Sequence, residues 1–132
     1  MFQKEVADRI ISKFNTSKYG RLSIICNWKL NIKKICDIKP EAFSPKPKID
    51  STLLLFYPKE KFIKIKDPKN LEKITRIFFN QRRKMIKKPF NQIFNGDQKV
   101  LNKLGIDLSQ RPQNLNVDTY LKLACEFEKL SC

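Results

Sequence analysis

The sequence predicts an α+β fold: helices and two strands that form the margin of a larger sheet, followed by a small all-helical unit. Three observations point there. Residues 3–14 carry Val6, Ile10 and Ile11 at i, i+4 and i+5 with charges between them, which is a helical period. Residues 31–38 and 50–57 read as strands, the second around the continuous apolar run Leu53, Leu54, Leu55 and Phe56. From residue 70 onward, apolar residues recur at helical spacing and stop at Gly, Asn and Pro.

Taken in order, the first helix ends at the Asn15, Thr16, Ser17 cluster. Residues 21–29 fit either a helix capped by Ser17, with Leu22, Ile25 and Cys26 on one side, or a buried strand; the helix is the preferred reading. Two strands leave both edges and one face uncovered, so residues 1–57 read as the end of a larger domain. Residues 58–69 are Lys-rich, hold Pro58 and Pro68, and read as a linker. Residues 70–132 form the helical unit. Its first helix starts at Asn70 and aligns Leu71, Ile74, Phe78 and Met85. Continued unbroken to Lys88, it puts Lys73, Arg76, Arg83, Lys84 and Lys87 on the opposite side, with Arg82 at the apolar border and Pro89 as its end. A short helix over 98–104 closes at Gly105, and Asn116 caps a last helix buried through Val117, Tyr120, Leu121, Ala124 and Phe127. Phe78, Tyr120 and Phe127 read as core, Trp28 as a boundary anchor.

Composition narrows the chemistry. The 132 residues hold 28 Lys plus Arg against 13 Asp plus Glu, a formal net charge of +15, and no His. Without imidazole there is no Ser/His or Cys/His nucleophile pair and no Cys/His metal set, and the four cysteines are scattered. No metal is expected. No window approaches the ~18 apolar residues of a membrane span, and the N-terminus lacks a signal-peptide pattern, so a cytoplasmic protein without membrane contact is expected. Abundant Lys, Ile and Asn with little Ala fit an AT-rich coding sequence, but that bias would raise Glu as well. The charge is also local. Residues 1–58 carry 11 cations and 5 anions, residues 59–90 carry 12 and 3, and residues 91–132 carry 5 and 5. A polyanionic partner explains that distribution; the bland alternative is a solvated surface.

Four stretches bear a family resemblance: Gln3-Lys4-Glu5-Val6-Ala7-Asp8-Arg9-Ile10, Phe43-Ser44-Pro45-Lys46-Pro47-Lys48-Ile49-Asp50-Ser51, Phe79-Asn80-Gln81-Arg82-Arg83-Lys84, and Arg111-Pro112-Gln113-Asn114-Leu115. In this order the chain resembles the C-terminal part of the small-subunit ribosomal RNA adenine dimethyltransferases, the KsgA family. The resemblance implies the edge of a Rossmann-like methyltransferase sheet and a helical rRNA-docking domain. It also implies methyl transfer from S-adenosylmethionine to two adjacent adenosines of small-subunit rRNA. The family's Gly-rich cofactor loop, acidic cofactor ligands and Asn-Leu-Pro-Tyr motif have no counterpart here. The expectation is a fragment, a split gene or an internal start that binds no S-adenosylmethionine alone, is inactive alone, and is completed by an N-terminal methyltransferase half.

The candidate site residues follow. By the resemblance, Phe43 stacks on the flipped target adenine; from the residues alone, plugging the end of the sheet is the competing role. Lys46 and Lys48 beside it, and Lys73, Arg76, Arg83, Lys84, Lys87 and Lys88 further on, are candidate phosphate contacts. Residues 76–88 hold six cations and no acid, a crowding that costs helix stability unless an anion compensates. Arg82 suits a structural pairing with the N-terminal part. Two other functions fit the same features: a stand-alone rRNA-binding or ribosome-assembly module without catalysis, and a fragment of a macrolide-resistance-type large-subunit rRNA methyltransferase.

Overall fold

The computed structural model describes residues 1–45 and 48–130; Lys46, Pro47, Ser131 and Cys132 lie outside the described residues. The chain opens with a two-residue strand β1 (Phe2–Gln3) and helix α1 (Lys4–Ile11), then α2 (Arg21–Lys29), β2 (Leu30–Ile38) and β3 (Ser51–Pro58). The sheet has the order β1-β3-β2, with both pairings antiparallel and an irregularity in β2 between Lys34 and Cys36. A short third strand therefore joins the two expected ones. Glu5 in the first turn of α1 favours the helix dipole and pairs with Arg9 at 3.1 Å. The helix stops short of residue 14, and Asn15 turns the chain with a φ of 69°.

Alternation along β3 decides which side of the sheet is covered. Thr52 and Leu54 point inward and are buried, and Leu54 packs with Ala7 and Ile10 of α1. Leu53, Leu55 and Tyr57 point to the other face and remain exposed. Segment 21–29 is a helix, with Gly20 rather than Ser17 at its N-cap; the Gly20 N–H donates to Ser23 Oγ at 3.3 Å.

The second and larger core is helical. It joins Ile24 and Trp28 of α2 to Leu71, Ile74 and Phe78 of α3 (Pro68–Phe78), Phe90 of α4 (Lys87–Phe94), Leu101 of α5 (Gln98–Leu104), and Tyr120 and Leu123 of α6 (Val117–Leu130). Residues 59–67 carry no regular structure but are held along their length. Trp28 Nε1 donates to the Ile63 carbonyl at 2.6 Å, Ile65 is buried, and the Lys66 and Asp67 N–H groups donate to Glu128 at 3.0 and 2.9 Å. Partial burial works to raise the Glu128 carboxyl, but these bonds and one from the Asn70 amide hold it below the usual range.

Two expectations about 70–88 need correction. The N-cap of α3 is Asp67, whose side chain accepts from the Lys69 N–H at 3.0 Å; Pro68 occupies the first helical position, where no N–H is needed. The helix also does not run to Lys88. It ends at Phe78, tightens into a 3-10 turn at Phe79–Gln81, and restarts as α4. Tertiary contacts make the break. An unbroken helix would turn Met85 inward, whereas the observed turn buries Ile86 completely and leaves Met85 55% exposed. The Ile86 N–H donates to the Gln110 carbonyl at 2.8 Å. Pro89 therefore starts a helix instead of ending one, sitting in the first turn of α4 where its missing N–H costs nothing. Further on, Asp97 caps α5, Gly105 closes it with a φ of 64°, and Asn116 Oδ1 accepts from the Thr119 N–H at 2.9 Å to cap α6.

Candidate nucleic-acid interface

Between β2 and β3 the chain makes a 3-10 turn (Pro40–Ala42), after which Phe43 sits half-buried in extended backbone, its N–H donating to the Pro40 carbonyl at 3.1 Å. Lys48 follows and is exposed, and Lys46 lies outside the described residues. The base of this loop is fixed by a charge cluster that no sequence motif announces. Thr52 Oγ1 donates to Asp37 Oδ1 at 2.7 Å, while Lys34 and Lys4 approach Asp37 Oδ2 at 3.0 and 3.3 Å. The Thr52 hydroxyl first, then Lys34, pull the Asp37 carboxyl down to about 2. Thr52 is fully buried, and the Lys4 N–H also donates to the Asp50 carbonyl. Both ends of the loop thereby meet β1 and α1.

The expected helical stripe of cations is distributed over three elements. Lys73 and Arg76 are exposed on α3, with Lys73 Nζ 5.1 Å from the Phe127 ring centre. Arg83 and Lys84 are exposed in the turn, and Lys87 and Lys88 open α4. The helix break gathers Lys84, Lys87 and Lys88 around one cleft of about 670 Å³ between the end of α3 and α4. Among the described residues none of these three has a carboxylate partner, whereas Lys4, Lys18, Lys34, Lys103 and Lys129 all do. Two lysines in the first turn of α4 also oppose its dipole, an arrangement that an approaching anion relieves. Arg82 behaves differently from its neighbours. Half-buried, it packs 5.3 Å from the Phe79 ring and donates to the Ser17 carbonyl at 3.0 Å, tying the turn to the N-terminal part.

The three glycines serve backbone geometry. A Cβ at Gly20 would stand 3.0 Å from Arg82 Nη1, the movable end of the guanidinium. Gly96 and Gly105, both with positive φ, serve the ends of α4 and α5. The chemistry these surfaces support is phosphate contact along the cations and aromatic contact at the loop. Tyr19 is buried, with burial pushing its phenol up, so its ring offers no free face for stacking. Among the described residues no helix is long and apolar enough to cross a membrane, and no group of three or more His, Cys, Asp or Glu is placed to hold a metal ion.

Comparison with known proteins agrees with the motif order. A family model described as "Ribosomal RNA adenine dimethylase" matches residues 1–129. The "Ribosomal RNA small subunit methyltransferase A" of Pelagibacter ubique (strain HTCC1062) is 72% identical over 130 residues, covering 98% of this chain and 50% of the relative. The protein of the same name from Ehrlichia ruminantium (strain Gardel) is 43% identical over 126 residues, covering 94% and 47%. The chain thus spans about half the length of the curated relatives it matches. Among solved structures, a dimethyladenosine transferase from Plasmodium falciparum superposes with a TM-score of 0.79 at 26% identity, over 98% of this chain and 56% of that one. The 23S rRNA methyltransferase ErmE shares the fold, with a TM-score of 0.59 at 18% identity over 98% and 52%.

Proposed function

Because the chain belongs to the ribosomal RNA adenine dimethylase family, we propose that it supplies the rRNA-docking half of an S-adenosylmethionine-dependent rRNA adenine N6,N6-dimethyltransferase. The substrate is two adjacent adenosines of small-subunit rRNA, modified in the cytoplasm as the subunit matures. The match over residues 1–129, at about half the length of the relatives, carries this reading. A cofactor-binding half is the partner of these 132 residues, which are inactive without it. The open sheet face supports such a partner: Ile35, Leu53, Leu55 and Tyr57 leave an apolar surface of the kind that a larger domain covers.

In this scheme the chain contributes two things. Lys48, Lys73, Arg76, Arg83, Lys84, Lys87 and Lys88, with Lys46, hold phosphates and set position without reading sequence. Phe43 offers a ring face to the adenine once the base has left its stack. Methyl donation belongs to the cofactor bound by the other half.

The test is reconstitution. Small ribosomal subunits lacking the modification are incubated with S-adenosylmethionine, this chain, and the preceding half of a family member, separately and together. Methyl incorporation is expected only from the pair. In that pair Phe43→Ala lowers the single-turnover rate about 10- to 100-fold through weakened stacking, while rRNA affinity and melting temperature stay put. Loss of melting temperature together with every activity would assign Phe43 to the core. Subunit binding without methylation by any combination would instead favour a binding module without catalysis.

A further inference from the structure

The cleft between α3 and α4 is more than a cationic surface. Its wall holds Ile77, Met85 and Pro89, and Met85 is among the most exposed apolar side chains of the protein. Beside them stand the amides of Asn80, Gln81 and Gln92, none of which makes a side-chain hydrogen bond among the described residues. A volume of about 670 Å³ falls within the range of small-molecule pockets, roughly 300–1,000 Å³. A side chain with both an amide donor and a carbonyl acceptor matches the edge of a purine, which presents both. A flexible thioether and a proline ring suit the flat face of a base. Phosphate contacts alone need neither feature.

We propose that this cleft binds one unpaired purine nucleotide of RNA, with the base against Met85 and Pro89, its edge facing Gln81 and Gln92, and its phosphates held by Lys84, Lys87 and Lys88. The proposal rests on the RNA-docking reading and deepens it: the cations supply affinity, and the cleft adds a preference for a base splayed out of a helix. It also accounts for the exposure of Met85 and for a helix that opens with two lysines. Ile86, at the N-cap, has no side-chain oxygen to offer the first N–H groups, so a phosphate takes the place of a capping side chain.

The experiment uses the full 132-residue chain and three probes: a short oligouridine strand with one central 2-aminopurine, the same strand with uridine throughout, and a blunt RNA duplex. Affinities are measured by anisotropy, and base burial by 2-aminopurine emission. The purine strand should bind about fivefold or more tightly than the uridine strand, a ratio set by base stacking. Met85→Ala and Gln92→Ala, both at exposed positions, should each bring that ratio toward one and leave duplex affinity unchanged. Equal affinity for the two single strands, with salt-dependent binding retained, would overturn the pocket and leave the RNA-docking reading standing. Failure to bind any of the three probes would overturn both.

Discussion

Replacing Lys84, Lys87 and Lys88 together by Ala should cost RNA affinity while adding stability to the fold. Among the described residues the three have no carboxylate partner, so each is available to a phosphate, and each ammonium removed should flatten the plot of log K against log salt by about 0.7 to 0.9. Three phosphates left without a cation amount to roughly 2 to 2.7 in slope. Near physiological salt a slope of about 0.8 is worth roughly fivefold in affinity, so the triple variant should bind about a hundredfold more weakly. Stability moves the other way, because Lys87 and Lys88 stand in the first turn of α4; removing them relieves about 0.3 to 1 kcal/mol each of unfavourable dipole interaction. Lys103→Ala is the control. Its ammonium sits 2.6 Å from Glu126, and this bond above all holds the lysine pKa up, so it should leave the slope nearly unchanged. Filter binding to small-subunit rRNA across a salt series, beside thermal melting, reads both effects. Equal weakening by Lys103→Ala and by Lys84→Ala would show that net charge, not the cleft, governs binding.

Two further outcomes concern the fold. The Asp37 carboxyl is held at about 2 against an ordinary value of 3.8, so it contributes stability that is fully present above about pH 4 and disappears as pH falls through 2. Asp37→Asn should therefore lower the melting temperature at pH 7, and the gap to the wild type should close between pH 4 and pH 2; a constant gap would mean that the cluster does not stabilise the ionised carboxylate. At the helix break, Ile86→Ala should cost about 2 to 5 kcal/mol and Met85→Ala almost nothing, and the reverse ranking in denaturant melts would restore the continuous helix.

Sequence signals suffice for α5 and α6, which their own residues define, whereas at α3 the local Asp67-Pro68 start competes with Asn70. Asp97 and Gly105 bound α5, Asn116 caps α6, and the apolar spacing of 117–127 needs only one partner face, so local chemistry names them all. The turn at 79–86 is defined from outside. Arg82 leaves the helix to reach the Ser17 carbonyl, and Ile86 is drawn into the core while its N–H pairs with Gln110. Both partners are remote along the chain, and no propensity in the segment announces them. Strand β1 is similar: Phe2 and Gln3 count as a strand only because Thr52 and Ser51 stand opposite. The candidate site follows the same division. Every proposed cation was legible as an isolated charge, but the gathering of Lys84, Lys87 and Lys88 around one cleft depends on the break, and so does the exposure of Met85.

Helix α2 links the sheet that carries the Phe43 loop to the helical core that carries the cationic turn. One side of it is bound to α1: Ser23 Oγ donates to the Arg9 carbonyl, and the Asn27 amide donates to the Ile10 carbonyl at 2.9 Å. From there the order passes to the sheet, and through Lys4 and Asp37 to the base of the Phe43 loop. The opposite side carries Ile24 and Trp28 into the helical core, and Trp28 Nε1 fastens the strand-to-helix connection at Ile63. Removing Lys84, Lys87 or Lys88 touches neither side, which should separate RNA affinity from the placement of the loop. Truncating the Ile24 side chain, fully buried at the shared wall, loosens both at once. A single helix therefore sets the position of the Phe43 loop relative to the turn at 79–86. Under the proposed function, in which an adenosine must reach a cofactor held elsewhere, that relation matters more than any single side chain, since a shift of about 1 Å in a reacting group can cost a hundredfold in rate.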